Sequence, residues 1–161
     1  MKTVLTQNFI FIFKNKKCVL IYLLSKLFHF DRLVKGEDLN HHGTLFAGRS
    51  AEWFVEAGFI AAASVLPSQN IVCLKIHGLT FTQPIQPGEI ARFESKVVHA
   101  GRSSLVVSVQ LKIQNRDEPV LTGFITFVQI NEGGNAEPHG LELEIISDED
   151  ILLNQQAREL K

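Results

Sequence analysis

The chain has almost no excess of charge: 16 Lys and Arg stand against 17 Asp and Glu. Without a field of one sign, nothing long-range draws in a nucleic-acid backbone or an anionic membrane, so neither partner is expected. Cysteine is scarce. Cys18 and Cys73 are too few for a disulfide framework, and neither has a second Cys or His at metal-ligand spacing. No metal is expected, and a reducing cytoplasm suits the composition. A long unbroken apolar run is also missing. Lys14, Lys16 and Lys17 split Phe9-Ile10-Phe11-Ile12-Phe13 from Val19-Leu20-Ile21-Tyr22-Leu23-Leu24, and each piece is well short of the roughly 20 residues a bilayer needs. No small-residue cleavage site follows. Stable membrane insertion is therefore not expected. Residues 1–27 read as an N-terminal extension of uncertain structure: an extra strand or helix packed on the domain, or a stretch upstream of the natural start. No internal repeat or low-complexity tract is evident.

What is present is an ordinary soluble composition, 45% hydrophobic and 20% charged over 161 residues, enough for one core. Phe28 to Lys35 reads as a short strand ending at Gly36, followed by a polar turn through Gly43. Leu45 to Leu66 reads as a helix, rich in alanine, free of proline and apolar on most sides, so other structure must wrap it. Pro67 stops it. Four strand-like segments follow: Ile71 to Phe81, Glu89 to Ala100, Ser103 to Gln114 and Val120 to Asn131. Their alternation is clearest where Leu105, Val107, Val109, Leu111 and Ile113 interleave with Val106, Ser108, Gln110 and Lys112. The compact links Gln83–Gly88, Gly101-Arg102 and Asn115–Pro119 suit antiparallel hairpins. The order predicts an α+β domain over residues 28–131, a curved five-stranded antiparallel sheet round a long central helix. Residues 132–161 form an acidic C-terminal tail with a possible terminal helix, Ile151 to Leu160, capped by Asp148.

Chemistry has two candidate places. The turn Asn40-His41-His42-Gly43-Thr44 leads to Ala47 and Gly48, where free amide hydrogens in the first helical turn can hold a developing oxyanion; the plainer reading is a polar loop with a permissive glycine. Farther on, Arg49, Glu52 and Glu56 share one stripe of the helix. They form either a solvated salt-bridge stripe or a partly shielded carboxylate able to act as a general base. His41 and His42 are adjacent and make a poor metal pair, His77 reads as a satisfied sheet residue, and Gly48-Arg49-Ser50-Ala51-Glu52 lacks the second glycine of a nucleophile elbow.

The run Asn40-His41-His42-Gly43-Thr44-Leu45-Phe46-Ala47-Gly48, continuing into Trp53-Phe54-Val55-Glu56-Ala57 and Ala61-Ala62-Ala63, resembles the acyl-CoA thioesterases of the hot-dog superfamily, especially the YciA-like and cytosolic brain-type acyl-CoA hydrolases. Phe81–Glu89 and His99–Leu105 are similar to later turns of that family. The resemblance implies a hot-dog fold, homodimers that join two sheets, higher assemblies such as tetramers or hexamers, and acyl-CoA bound across the seam. No cofactor is implied beyond the coenzyme A of the substrate. Asn40 would orient substrate or water, the amides of Ala47 and Gly48 would hold the thioester oxygen, and Arg102 would meet the nucleotide phosphates; His41, His42 and Ser103 are further candidates for substrate contact.

The chain departs from the family at one place: aligned without a gap, the usual aspartate falls on Val55. Glu56 keeps the eight-residue separation from Gly48 used by members with a catalytic acid there, so Glu56 is the expected catalytic residue. Two other functions compete. A non-catalytic acyl-CoA-binding module is suggested by Val55. An enoyl-CoA hydratase is suggested by Asp38-Leu39-Asn40, but no proline follows Asn40, and Gly43 stands where the hydratase histidine belongs.

Overall fold

A computed structural model describes residues 3–6, 9–14, 17–22, 26–145 and 147–160. Five strands build the main sheet: β4 (Phe28–Leu33), β5 (Ile71–Phe81), β6 (Ile90–Ala100), β7 (Ser104–Ile113) and β8 (Leu121–Gln129), in the order β4-β6-β7-β8-β5 and antiparallel throughout. The alternation seen in the sequence sets its two faces. Leu105, Val107, Val109, Leu111 and Ile113 are buried, as are Ala91, Phe93, Ser95 and Val97 in the neighbouring strand. That face closes on helix α1 (Ala47–Ala63), whose Phe54, Ala57, Ala61 and Ala62 are fully buried against it. Ser95, on this apolar face, donates its hydroxyl to the Ala57 carbonyl at 2.8 Å. Gly58 permits the close approach: a β-carbon there would lie 2.6 Å from Ile125 Cδ1. Truncating Phe54 to alanine would cost about 3–5 kcal/mol, because the cavity adds to the lost burial.

Three expectations are corrected. The helix is shorter than Leu45 to Leu66 at both ends. The amide of Leu45 is taken by the Ile85 carbonyl and that of Phe46 by the Asp38 carbonyl, each at 2.8 Å, so those two residues stay extended. At the other end Ser64 and Val65 donate to the carbonyls three residues back, and the helix tightens into turns before Pro67. The Gln83–Gly88 link is no hairpin, since β5 pairs with β8 and β6 lies near the opposite edge. Chain proximity suggested a neighbour, but the sheet curls round α1 and the link crosses the open side. The terminal helix, α2 (Asp148–Glu159), begins earlier and is capped by Ser147, whose Oγ accepts from Asp150 N at 3.1 Å. Asp148, Glu149 and Asp150 occupy its first turn, where the helix dipole favours acids.

The helix α2 covers the outer face of the sheet. It packs with Val98 and Val106, and Asn154 donates to the Val98 carbonyl at 2.7 Å. This explains why Val106, on the wetter side of its strand, is buried. A second sheet joins the two ends of the chain: β1 (Thr3–Thr6), β2 (Phe9–Lys14) and β3 (Lys17–Tyr22) are antiparallel, and β3 runs parallel to β9 (Leu141–Leu143). Among the described residues, no helix is long and apolar enough to cross a membrane.

Candidate active site

The polar turn before α1 is held by Asn40. Its Oδ1 accepts from the His42 amide at 2.8 Å and the Thr44 amide at 3.3 Å, and its Nδ2 donates to Thr44 Oγ1 at 3.0 Å. Gly43, with φ at 75°, closes the turn in a conformation that favours glycine. Asn40 therefore spends its side chain on the loop, and His41 and His42 stack on each other at the exposed tip, 3.9 Å between rings. Just upstream, the buried Asp38 accepts from the Lys35 amide and meets Arg49 Nε at 3.2 Å. These bonds deliver the chain to α1 with its opening amides uncovered. Those of Ala47 and Gly48 have no acceptor among the described residues, as expected for a first helical turn. They open beside a cleft of about 320 Å³ that Asn40, Ala47, Phe81 and Pro84 help to line. A β-carbon on Gly48 would collide with the Phe46 ring, so the glycine keeps this approach clear.

The other candidate lies farther along α1. Val55, Glu56, Phe59 and Ile60 face a cleft of about 450 Å³ between the two edges of the curled sheet, closed by Phe30 on one side and by Cys73 and Phe127 on the other. The walls are apolar. The charged exceptions are Glu56 and Arg32, which pair with each other: Glu56 Oε2 accepts from Arg32 Nη2 at 3.0 Å. Partial burial pushes the Cys73 thiol up from its ordinary pKa, which favours the protonated form near neutral pH. The three-residue stripe seen in the sequence is thus divided. Arg49 pairs with Glu52 at 2.6 Å, and Glu56 turns to β4 instead.

Within one protomer these two places do not merge. Eight residues separate Gly48 from Glu56, a rise of about 12 Å along a helix, and they line different clefts. Arg102 and Ser103 lie in the β6–β7 turn, where their carbonyls accept from His139 and Gln129. That turn is at the far end of the domain, beyond the C-terminal end of α1. His77 is a satisfied sheet residue, with Nε2 2.9 Å from Thr126 Oγ1, and burial lowers its pKa. No group of three His, Cys, Asp or Glu side chains among the described residues is arranged to hold a metal ion. Sequence reasoning missed Arg32. The signal was its place two residues after Phe30 and four after Phe28, on the side of β4 that must face the helix.

A family model described as the thioesterase superfamily matches residues 42–120, from the loop before α1 to the residue before β8. Over those residues the chain is similar to the thioesterase superfamily. It has the hot-dog arrangement, a central helix wrapped by a five-stranded antiparallel sheet. It is similar to YkhA of Bacillus subtilis (strain 168), an uncharacterised acyl-CoA thioester hydrolase: 28% identical over 131 residues, 77% of this chain and 76% of the relative. An acyl-CoA hydrolase from Staphylococcus aureus, solved with butyryl coenzyme A, coenzyme A and coenzyme A disulfide, superposes with a TM-score of 0.70 at 26% identity, covering 83% of this chain and 80% of that one. An apo hexameric acyl-CoA thioesterase superposes with a TM-score of 0.69 at 27% identity, covering 82% and 86%.

Proposed function

We propose that this chain hydrolyses acyl-CoA thioesters to a free acid and coenzyme A. The observation that carries the reading is the Glu56 carboxylate at the mouth of an apolar cleft, with one oxygen held by Arg32 and Oε1 without a partner among the described residues. Glu56 takes a proton from water as the water oxygen bonds to the thioester carbonyl carbon, and the carbonyl oxygen becomes an oxyanion. The opening amides of an α1 helix hold that oxyanion. When the tetrahedral intermediate collapses, the carbon–sulfur bond breaks and the proton on Glu56 passes to the coenzyme A thiolate.

Because Glu56 and the opening amides of its own helix are about 12 Å apart along the axis, the reading requires a second protomer. Each site then combines Glu56 of one copy with Ala47 and Gly48 of the other. The 11-residue edge strand β5 supports a seam between copies: among the described residues it pairs only with β8, and Val72, Leu74 and Ile76 are exposed along it. A homodimer or a higher assembly such as a tetramer or hexamer follows, with Arg102 and Ser103 of a neighbouring copy available to coenzyme A phosphates, and Asn40 with the two histidines shaping the loop that substrate passes. The cytoplasm is the compartment proposed, with no cofactor beyond the coenzyme A of the substrate.

A second reading, an acyl-CoA-binding module without turnover, is favoured by Val55. Solved variants of the Staphylococcus aureus hydrolase change an asparagine and an aspartate fifteen residues apart, and fifteen residues beyond Asn40 is Val55. One assay separates the readings: free-thiol release over a panel of acyl-CoA chain lengths, with Glu56→Gln run beside the unaltered protein. Thiol release that Glu56→Gln abolishes supports the hydrolase. Binding without thiol release establishes the module.

A further inference from the structure

We propose that Arg32 is a positioning residue that aims the Glu56 carboxylate for the attack of water; this rests on the reading of Glu56 as the base. Arg32 stands on the edge strand β4 opposite Ala91, a fully buried residue, so this side of the strand turns toward α1. Its guanidinium carbon lies 4.6 Å from the centre of the Phe30 ring and 5.9 Å from that of Trp53. Both rings are themselves braced on Phe93, at 6.1 and 6.5 Å between centres. The planar cation therefore rests on an aromatic shelf, which limits its orientations and favours its charge. From the shelf it reaches across 24 residues of sequence to one oxygen of Glu56.

The consequence is geometric. A glutamate side chain free in solvent samples many rotamers, and fixing it at the moment of reaction costs conformational entropy. Pinning Oε2 meets that cost during folding and leaves Oε1 in a defined place for the water proton. A second arginine pair on the same strand shows the difference. Arg92 grips Asp31 on the outer side of β4 with two bonds of 2.9 Å, one to each carboxylate oxygen. That fork occupies both oxygens and serves only to hold strands. The inner pair leaves one oxygen unengaged.

The test measures kcat and KM for thiol release on the full chain for Arg32→Gln, Arg32→Lys, Glu56→Gln, the Arg32→Gln/Glu56→Gln double variant and Arg92→Gln, with thermal melting of each. Arg32→Gln is expected to lower kcat about tenfold to a hundredfold with KM within about twofold, the pattern of a misaligned reacting group. Arg32→Lys, which keeps the charge without the planar fork, falls between. Arg92→Gln matches the unaltered protein. The double variant is no slower than Glu56→Gln, because a residue acting through Glu56 has nothing left to aim. A double variant slower than Glu56→Gln by the full Arg32→Gln factor would overturn the proposal. Full turnover of Arg32→Gln beside an inactive Glu56→Gln overturns the positioning role and leaves the base. Full turnover of Glu56→Gln removes the base and the positioning role together. Should Arg32→Gln be unfolded at the assay temperature, Arg32→Lys decides: lowered kcat at constant KM supports the role, and full turnover ends it.

Discussion

Glu52 and Glu56 stand one turn apart on α1, each with an arginine, yet their surroundings differ in kind. Glu52 is 54% exposed and pairs with Arg49 three residues earlier on the same helix, a contact that any isolated helix can make. Glu56 is 45% exposed, so exposure scarcely separates the two. Its partner comes from another element, rests on aromatic rings and stands at the mouth of the apolar cleft. A carboxylate's chemistry follows from which residue holds it and what it faces, more than from how much solvent it sees.

The sharpest way to break the comparison is to neutralise each acid in turn. Glu56→Gln should lower kcat by about a hundredfold to ten-thousandfold, the usual worth of a general base, and Glu52→Gln by less than about twofold. Equal losses in the two variants would erase the distinction. The next effect concerns the seam on which Glu56 depends. Leu74, 67% exposed on β5, becomes charged in Leu74→Lys, and a charge on an edge strand opposes pairing between copies. Sedimentation should show smaller species and most turnover lost at low protein concentration; an unchanged assembly with full turnover would show that the seam lies elsewhere.

A smaller loss is expected at the opening of α1, because Gly48→Ala leaves the amides in place and only pushes the Phe46 ring into the approach. Here kcat should fall about tenfold, and unchanged kinetics would remove these amides from the site. The smallest effect lies on the outer side of β4. The hydrogen bonds from Arg92 hold the Asp31 carboxyl below its ordinary pKa of 3.8. Since the folded value is the lower one, the unfolded chain binds more protons in acid. The stabilisation is therefore complete above the ordinary value and is lost as pH falls through the folded one. Asp31→Asn should cost at most about 1 kcal/mol near neutral pH, because the pair is exposed, and the variant's stability should fall less steeply in acid. Urea melts at several pH values check this.

Much of the frame was legible before the fold was seen. The bounds of β5, Ile71 and Phe81, were read as they stand, and the alternating residues of β7 face the core as their period requires. The Asn40–Gly48 loop was legible as a polar turn opening a helix. Its internal hydrogen bonds were not, because Asn40 had as many partners in prospect among substrate and water as in its own loop. Arg32 was missed because an arginine on a strand reads as a solvated residue unless the inward face of that strand is already known.

By itself, the sequence determined the elements, their order and their apolar faces, since period and punctuation are properties of a short stretch of backbone. Only the tertiary structure decided that β5 crosses to the far edge, that α2 covers the outer face, and that Glu56 rather than Glu52 meets an arginine from an edge strand beside an apolar cleft. Those outcomes depend on the curl of a sheet round a helix, which brings together residues that no local pattern links.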